Sequence, residues 1–192
     1  GKYLPKAEKT RLYLYHKPPG LVTTAKDEKG RTTVFDKLPA ELGRVISVGR
    51  LDINTEGLLL LTNDGALSRH MELPATGWKR RYRVRAHGIA EPQMIERLKK
   101  GVTVEGISYG AIDAAIEKQQ GTNCWLAVTL REGKNREVRK AMEAVGLTVN
   151  RLIRVSYGPF QLGNLPPSAI KEVSEKMLRE QLADFFKQQN KK

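Results

Sequence analysis

Cysteine, histidine and long hydrophobic runs are scarce in this sequence, and each scarcity excludes a class of protein. One cysteine, Cys124, and three histidines occur among the 192 residues, too few for a disulfide framework or a structural zinc site. No apolar run approaches the roughly 20 residues that cross a bilayer, and no signal peptide is visible at the N-terminus. We therefore expect no membrane association and a cytoplasmic location.

The common cofactor and metal signatures are also missing. The chain contains no Walker A loop, no dinucleotide-binding glycine fingerprint, and no HExxH or CxxC pattern. These absences argue against bound nucleotides, zinc hydrolases and zinc-dependent base deaminases. We expect a protein that uses neither a cofactor nor a metal ion.

Positive charge is in excess. Lysine and arginine number 34 against 21 acidic residues, for a net charge of +13, while the hydrophobic fraction of 40% is ordinary for a folded protein. A polyanion is therefore the leading candidate partner, and nucleic acid is the commonest polyanion.

Hydrophobic patterning predicts strands and helices without strict alternation of the two. Short apolar or alternating segments predict strands at 11–15, 45–48, 57–62, 79–87, 111–116, 125–130 and 149–155. Helix signals follow Asp64, Pro92 and Asn135, and a last amphipathic helix begins near Ser174. The order indicates an α+β fold with a mixed, mainly antiparallel sheet flanked by helices.

Asp52 is the first candidate for chemistry. It lies in the segment GRLDINTEGLLLLTNDG (49–65), between two glycines and two residues after Arg50. A carboxylate kept ionised by a nearby arginine can act as a nucleophile or general base. The plainer interpretation is an aspartate that caps a turn, which is a common use of this residue.

The second candidate is the basic strand around Tyr82. Alternation places Tyr82 on one face with Val84 and Ala86, and a row of arginines on the other. Basic side chains hold phosphates while an aromatic ring stacks on a base. Equally, Tyr82 can be a core residue beneath a solvated basic face.

The third candidate is the segment REGKNREVRKA (131–141). Its basic residues crowd a predicted helix start, where backbone N–H groups also favour anions. Arg151 and Arg154 straddle an apolar pair further on and can line the same groove. A solvated basic helix explains the segment as well.

Taken together, these segments resemble the pseudouridine synthases that modify ribosomal RNA. HKPPG (16–20) is similar to the first family motif and the Asp52 segment to the second. KRRYRV (79–84) resembles the tyrosine segment, and EGKNREVRKA (132–141) with RLIRVSYG (151–158) resembles the third motif and its extension. Four motifs in the family's order cover roughly residues 11–160, and they imply the synthase fold with a central basic cleft.

The resemblance also implies roles for single residues. Asp52 matches the essential carboxylate, Tyr82 the tyrosine that stacks on the target base, and Arg139 the arginine that pairs with the carboxylate. Leu152 matches a hydrophobic wall, and Arg50 the arginine beside the flipped nucleotide. The basic residues that we expect to bind RNA are Arg50, Lys17, Lys79, Arg81, Lys134, Arg136, Arg151 and Arg154, although Lys17 in the first motif is more structural than chemical.

The resemblance also implies a small S4-type RNA-binding domain, which most close members of the family carry before the catalytic domain. We therefore expect residues 1–10 to be a linker from such a domain, missing here, residues 11–187 to form the catalytic domain, and residues 188–192 to form a flexible tail.

The expected function is isomerisation of a uridine to pseudouridine in bacterial ribosomal RNA. We expect a monomer that acts on large-subunit (23S) RNA, in the peptidyl transferase region. The alternatives are a small-subunit (16S) synthase, a non-enzymatic ribosome assembly factor, and a magnesium nuclease that uses Asp52, Glu56 and Asp64.

Overall fold

The computed structural model of the protein describes residues 8–134 and 136–190. The strands are β1 (Leu12–Lys17), β2 (Ile46–Val48), β3 (Thr55–Thr62), β4 (Arg80–His87), β5 (Val102–Val104), β6 (Ile107–Tyr109), β7 (Asp113–Gln120), β8 (Asn123–Leu130), β9 (Thr148–Tyr157), β10 (Phe160–Gln161) and β11 (Ile170–Glu172). The helices are α1 (Gly65–Glu72), α2 (Pro92–Lys100), α3 (Glu137–Ala144), α4 (Glu175–Gln181) and α5 (Ala183–Asn190).

Most of the described strands form one sheet. Its order is β11-β1-β3-β9-β4-β8-β7, with β2 beside β3 and β10 beside β9. Neighbours run antiparallel except β3 and β9, which are parallel. β5 and β6 form a separate antiparallel hairpin. The prediction of an α+β fold with a mixed, mainly antiparallel sheet is confirmed.

β3 is buried on both of its faces. Leu58 and Leu60 pack into a cluster with α1, α4 and α5, whereas Leu59 and Leu61 pack into a cluster with residues of the 21–51 segment. Because successive side chains of a strand point to opposite faces, a strand covered on both sides reads as a continuous apolar run. A third cluster joins β4 and β8 to α2 and α3. β3 is thus a firm base for the loop that precedes it.

The predicted helix boundaries are largely confirmed. Asp64 caps α1, where its Oδ1 accepts a hydrogen bond from the Ala66 N–H at 2.9 Å. Pro92 opens α2, and Gly101 follows its last residue. The predicted cap of α3, Asn135, lies outside the described residues.

Other elements differ from the predictions. The strand expected at 111–116 is β7, which extends to Gln120, and the last helix divides at Leu182 into α4 and α5. The sequence patterns did not predict β5, β6, β10 and β11, because strands of two or three residues are too short for a periodic signal. Among the described residues, no helix is both long and apolar enough to cross a membrane.

Candidate active site

The loop between β2 and β3 carries Asp52 and is held from several sides. The Thr23 hydroxyl donates to the backbone oxygen of Leu51 at 3.0 Å, and Leu51 is buried. The Gly20 N–H donates to the Ile53 oxygen at 2.7 Å, and the Thr55 N–H donates to the Asp52 oxygen at 2.9 Å. These bonds fix the backbone on both sides of Asp52, whose side chain is 30% exposed.

Beneath this loop, Lys17 is completely buried. Its ammonium group donates to the backbone oxygens of Pro18 and Ile53 at 3.1 Å and of Thr55 at 2.8 Å. Burial lowers the pKa of Lys17 to about 8, while Asp52 and Glu56 act in the opposite direction. The prediction that Lys17 binds RNA is wrong: the side chain is a structural tie that holds the carbonyl groups around the Asp52 loop.

The parallel pair β3–β9 forms the floor next to Asp52. Thr55 lies opposite Leu152 and Gly57 opposite Arg154. A Cβ at Gly57 would lie 2.2 Å from the backbone oxygen of Arg154. Glycine is therefore required for the close approach of the two strands, which brings the 151–154 segment to the Asp52 loop.

Asp52 faces an open cavity of about 660 Å³. Seven residues predicted for the site line this cavity: Arg50, Asp52, Tyr82, Lys134, Arg136, Leu152 and Arg154. Within the described part of the chain, the remaining predicted residues, Lys17, Lys79, Arg81, Arg139 and Arg151, do not line it. The size of the cavity and its arginine-rich wall suit an anionic, nucleotide-sized ligand.

Tyr82 satisfies both interpretations of the basic strand. It packs partly against the core cluster that contains Val84 and Ala86, and it also lines the cavity. Its neighbour Arg81 is exposed on the other side of β4. The alternation therefore identified the faces correctly, and the tyrosine lies where the core meets the cavity.

Arg136 is the arginine that pairs with Asp52 in the structure. Its Nη1 lies 3.6 Å from Asp52 Oδ2. Among the described residues no ion pair within 4 Å joins Arg139 to Asp52; instead Arg139 Nη2 lies 3.5 Å from the Thr55 hydroxyl. Burial and the nearby Arg136 lower the pKa of Arg139, while Asp52 raises it. The predicted Arg139–Asp52 pair is thus corrected to Arg136–Asp52, because Arg139 is half-buried against β3.

The two arginines of β9 differ in their surroundings. Arg151 is on the surface, where its guanidinium donates to both carboxylate oxygens of Glu56 at 3.1 and 3.2 Å. Arg154 is 3% exposed, and its Nε donates to the Leu58 oxygen at 2.8 Å. Arg154 can therefore reach a group inside the cavity but not an RNA backbone on the surface. The prediction that Arg154 binds RNA is corrected to a contact inside the cavity.

Several lining residues escaped the sequence analysis. Arg31, Arg80, Glu137 and Tyr157 all contribute to the wall. Arg80 is one of several arginines in the basic strand, and Glu137 is a single acid among the bases of 131–141, so neither stood out. Only the pairing of β4 with β8 and β9 places Arg80 and Tyr157 opposite each other.

The acids suggested for a magnesium nuclease have other contacts. Asp64 caps α1 and accepts the Thr10 hydroxyl at 2.7 Å, and Glu56 pairs with Arg151. Within residues 8–134 and 136–190, no group of three or more histidine, cysteine or acidic side chains is placed to hold a metal ion. The three acids do not converge, and the nuclease interpretation loses its basis.

Comparison with known proteins decides the family. The family described as RNA pseudouridylate synthase matches residues 11–144. The chain belongs to the RNA pseudouridine synthases. It is 48% identical to an uncharacterized RNA pseudouridine synthase of Rickettsia conorii, over 93% of this chain and 76% of that protein. The predicted family and its enzymatic activity, the isomerisation of uridine in RNA, are confirmed.

Further relatives are consistent with this assignment. The ribosomal large subunit pseudouridine synthase B of Pasteurella multocida is 46% identical over 81% of this chain, which spans 45% of that protein. A crystal structure of a pseudouridylate synthase matches with a TM-score of 0.78 and 26% identity, over 92% of this chain and 75% of that one.

Proposed function

We propose that this synthase converts a specific uridine of bacterial large-subunit ribosomal RNA to pseudouridine, with Asp52 as the essential carboxylate. The carrying observation is that Asp52, in the loop between β2 and β3, and Tyr82, on β4, face one cavity in which Arg136 Nη1 lies 3.6 Å from Asp52 Oδ2. Binding of RNA alone needs the basic residues but not this carboxylate beside an aromatic ring. The likeness to a large-subunit synthase supports the choice of substrate.

The reaction requires that the uridine leaves its stack, because the ring must turn before C5 rejoins C1′. Unstacking costs a few kcal/mol, and stacking on Tyr82 returns about 1–3 kcal/mol. The cationic wall, with Arg50, Lys134 and Arg136, holds the splayed backbone.

Asp52 then assists cleavage of the N-glycosidic bond and formation of the C–C bond. Three routes use a carboxylate at this place: attack at C1′, addition at C6, or removal of the 2′ proton to give a glycal. In each, the Arg136 guanidinium, 3.6 Å from Asp52 Oδ2, is placed to orient the carboxylate. Leu152 covers the floor beside Thr55 and limits water there.

The test uses unmodified 23S and 16S RNA as separate substrates. Wild-type protein is expected to form pseudouridine in 23S RNA, mapped by carbodiimide modification or mass spectrometry. Asp52→Asn and Asp52→Ala are expected to abolish product and leave RNA binding largely intact, whereas the exposed Asp113→Asn serves as the matched control with full activity. Substantial product from Asp52→Ala would contradict the assignment.

The other outcomes identify the alternatives. Product in 16S RNA only would indicate a small-subunit synthase. RNA binding without product in either RNA would favour an assembly factor. Activity that persists in EDTA is expected for an isomerase of this kind.

A further inference from the structure

The wall of the cavity contains a carboxylate that the reaction scheme above leaves unused. Glu137, the first residue of α3, is 3% exposed and lines the cavity. Its Oε1 accepts the Lys134 N–H at 3.1 Å, but its Oε2 is buried with no hydrogen-bond partner in the described part of the chain. A buried acceptor without a donor costs free energy. An unpaired acceptor beside a binding cavity therefore indicates that the ligand supplies the donor.

Two guanidinium groups line the same cavity as this carboxylate. The guanidinium carbons of Arg80 and Arg154 lie 4.9 and 5.0 Å from the centre of the Tyr157 ring, and all of these residues line the cavity. Arg154 Nη2 is buried and has no partner among residues 8–134 and 136–190. The wall of the cavity therefore offers one hydrogen-bond acceptor, Glu137 Oε2, together with guanidinium donors of Arg80 and Arg154.

Uracil has the complementary pattern. Its N3–H donor lies between the acceptor oxygens O2 and O4, whereas cytosine has an acceptor nitrogen at N3. A site with a buried acceptor at N3 rejects a base that lacks the donor, because the protein group would stay unpaired.

The isomerisation itself favours a contact at N3. When the ring turns so that C5 replaces N1 next to the sugar, it turns about the axis through N3 and C6. N3 keeps its place, and O2 and O4 exchange. One acceptor at N3 and donors beside it can therefore hold the base before and after the turn.

We propose that Glu137 selects uracil: its Oε2 accepts the N3–H of the extruded base, and Arg154 Nη2 donates to an adjacent carbonyl oxygen. This inference rests on the proposed function, because it assigns the target base to this cavity. Glu137 acts here as a residue for specificity, apart from the bond exchange at Asp52.

The charged groups around Glu137 imply a pH signature. Burial and Glu132 raise the pKa of Glu137, while Lys134 and Arg80 lower it. Because Oε1 already accepts the Lys134 N–H, a proton taken up by the carboxylate at Oε2 would turn the acceptor for N3–H into a donor. We therefore expect kcat/KM to fall on the acid side as Glu137 is protonated. Glu137→Gln is expected to lack this contribution to the profile.

The test compares Glu137→Gln with Glu143→Gln, the same change at an exposed position of α3. Glutamine keeps an oxygen for the Lys134 N–H, so we expect an unchanged unfolding midpoint. Its amide N–H₂ would meet the N3–H, so kcat/KM is expected to fall roughly 10- to 100-fold, the worth of one charge-assisted hydrogen bond. Glu143→Gln is expected to match wild type.

A modified substrate separates recognition from structure. With 3-methyluridine at the target position, wild type is expected to lose activity, because the methyl group would clash with the Glu137 carboxylate. Glu137→Ala has no carboxylate there. Its rate on 3-methyluridine, relative to its own rate on uridine, is therefore expected to fall far less. Two results would overturn this inference alone. One is a kcat/KM of Glu137→Gln equal to that of wild type. The other is an equal loss of activity on 3-methyluridine, relative to uridine, in wild type and Glu137→Ala. Wild-type protein that forms no pseudouridine would instead overturn the proposed function.

Discussion

Substitution of Gly57 by alanine tests whether the floor of the cavity depends on close contact between β3 and β9. Its φ is 106°, and an added Cβ would lie 2.2 Å from the backbone oxygen and 2.8 Å from the backbone nitrogen of Arg154. Both atoms belong to the β3–β9 pairing, so neither can move without separating the strands. We expect Gly57→Ala to distort the floor between Thr55 and Leu152.

Two costs add in Gly57→Ala. A side chain at positive φ costs about 1–2 kcal/mol, and relief of the overlap costs about 1–3 kcal/mol, as in overpacked cores. The expected loss is therefore about 2–5 kcal/mol, a large share of the roughly 5–15 kcal/mol that stabilise an ordinary domain.

Gly20→Ala is the matched control. The φ of Gly20 is 95°, and nothing lies within 4 Å of a Cβ there, so this variant carries only the backbone cost. Urea unfolding followed by the fluorescence of Trp78 and Trp125 gives both free energies. We expect Gly57→Ala to lose at least about 1 kcal/mol more and to lose activity at temperatures where Gly20→Ala is active. Equal losses would refute the argument from close approach.

Three further predictions concern single side chains. Tyr82→Phe is expected to keep RNA affinity and slow product formation, whereas Tyr82→Leu weakens binding of the target RNA by about 1–3 kcal/mol; identical behaviour of the two in filter-binding and product assays would argue against stacking. Because the pKa of Lys17 falls from 10.5 to about 8 on folding, the unfolded chain binds more protons between these values. The stability contributed by Lys17 is therefore lowest below pH 8 and rises toward pH 10.5, by at most about 3 kcal/mol; urea unfolding of wild type minus Lys17→Met across this range should show the slope, and a flat difference would contradict it. Arg136→Gln is expected to slow product formation without moving the unfolding midpoint, because Arg136 is exposed; wild-type rates would show that the ion pair is dispensable.

Sequence patterns predicted the elements that carry strong local signals. The alternation of β4, the leucine run of β3 and the cap at Asp64 were readable because each depends on neighbouring residues. The faces of β4 were correct for the same reason. The setting of Asp52 between two glycines made it a candidate, the family motif implied its role, and the structure places it at the cavity.

What could not be predicted depends on pairing between distant strands. The choice of Arg136 over Arg139 as partner of Asp52 depends on how α3 lies against β9, which no local pattern encodes. Lys17 was grouped with the RNA-binding residues although its motif indicated a structural role, and pairing of β1 with β3 buries it beneath the Asp52 loop. Glu137 was hidden among basic neighbours, and only the burial of its carboxylate makes it conspicuous.

The parallel pairing of β3 with β9 has a consequence for the order in which the cavity is assembled. β3 and β9 meet at Thr55 and Leu152, about a hundred residues apart in the chain, and such distant contacts form slowly because a long loop must close first. During synthesis, Asp52 leaves the ribosome well before β9, the strand that completes the cavity that Asp52 faces. A nascent chain of this protein therefore contains Asp52 before the cavity that Asp52 faces exists, and that cavity is completed only after β9 has emerged and paired with β3.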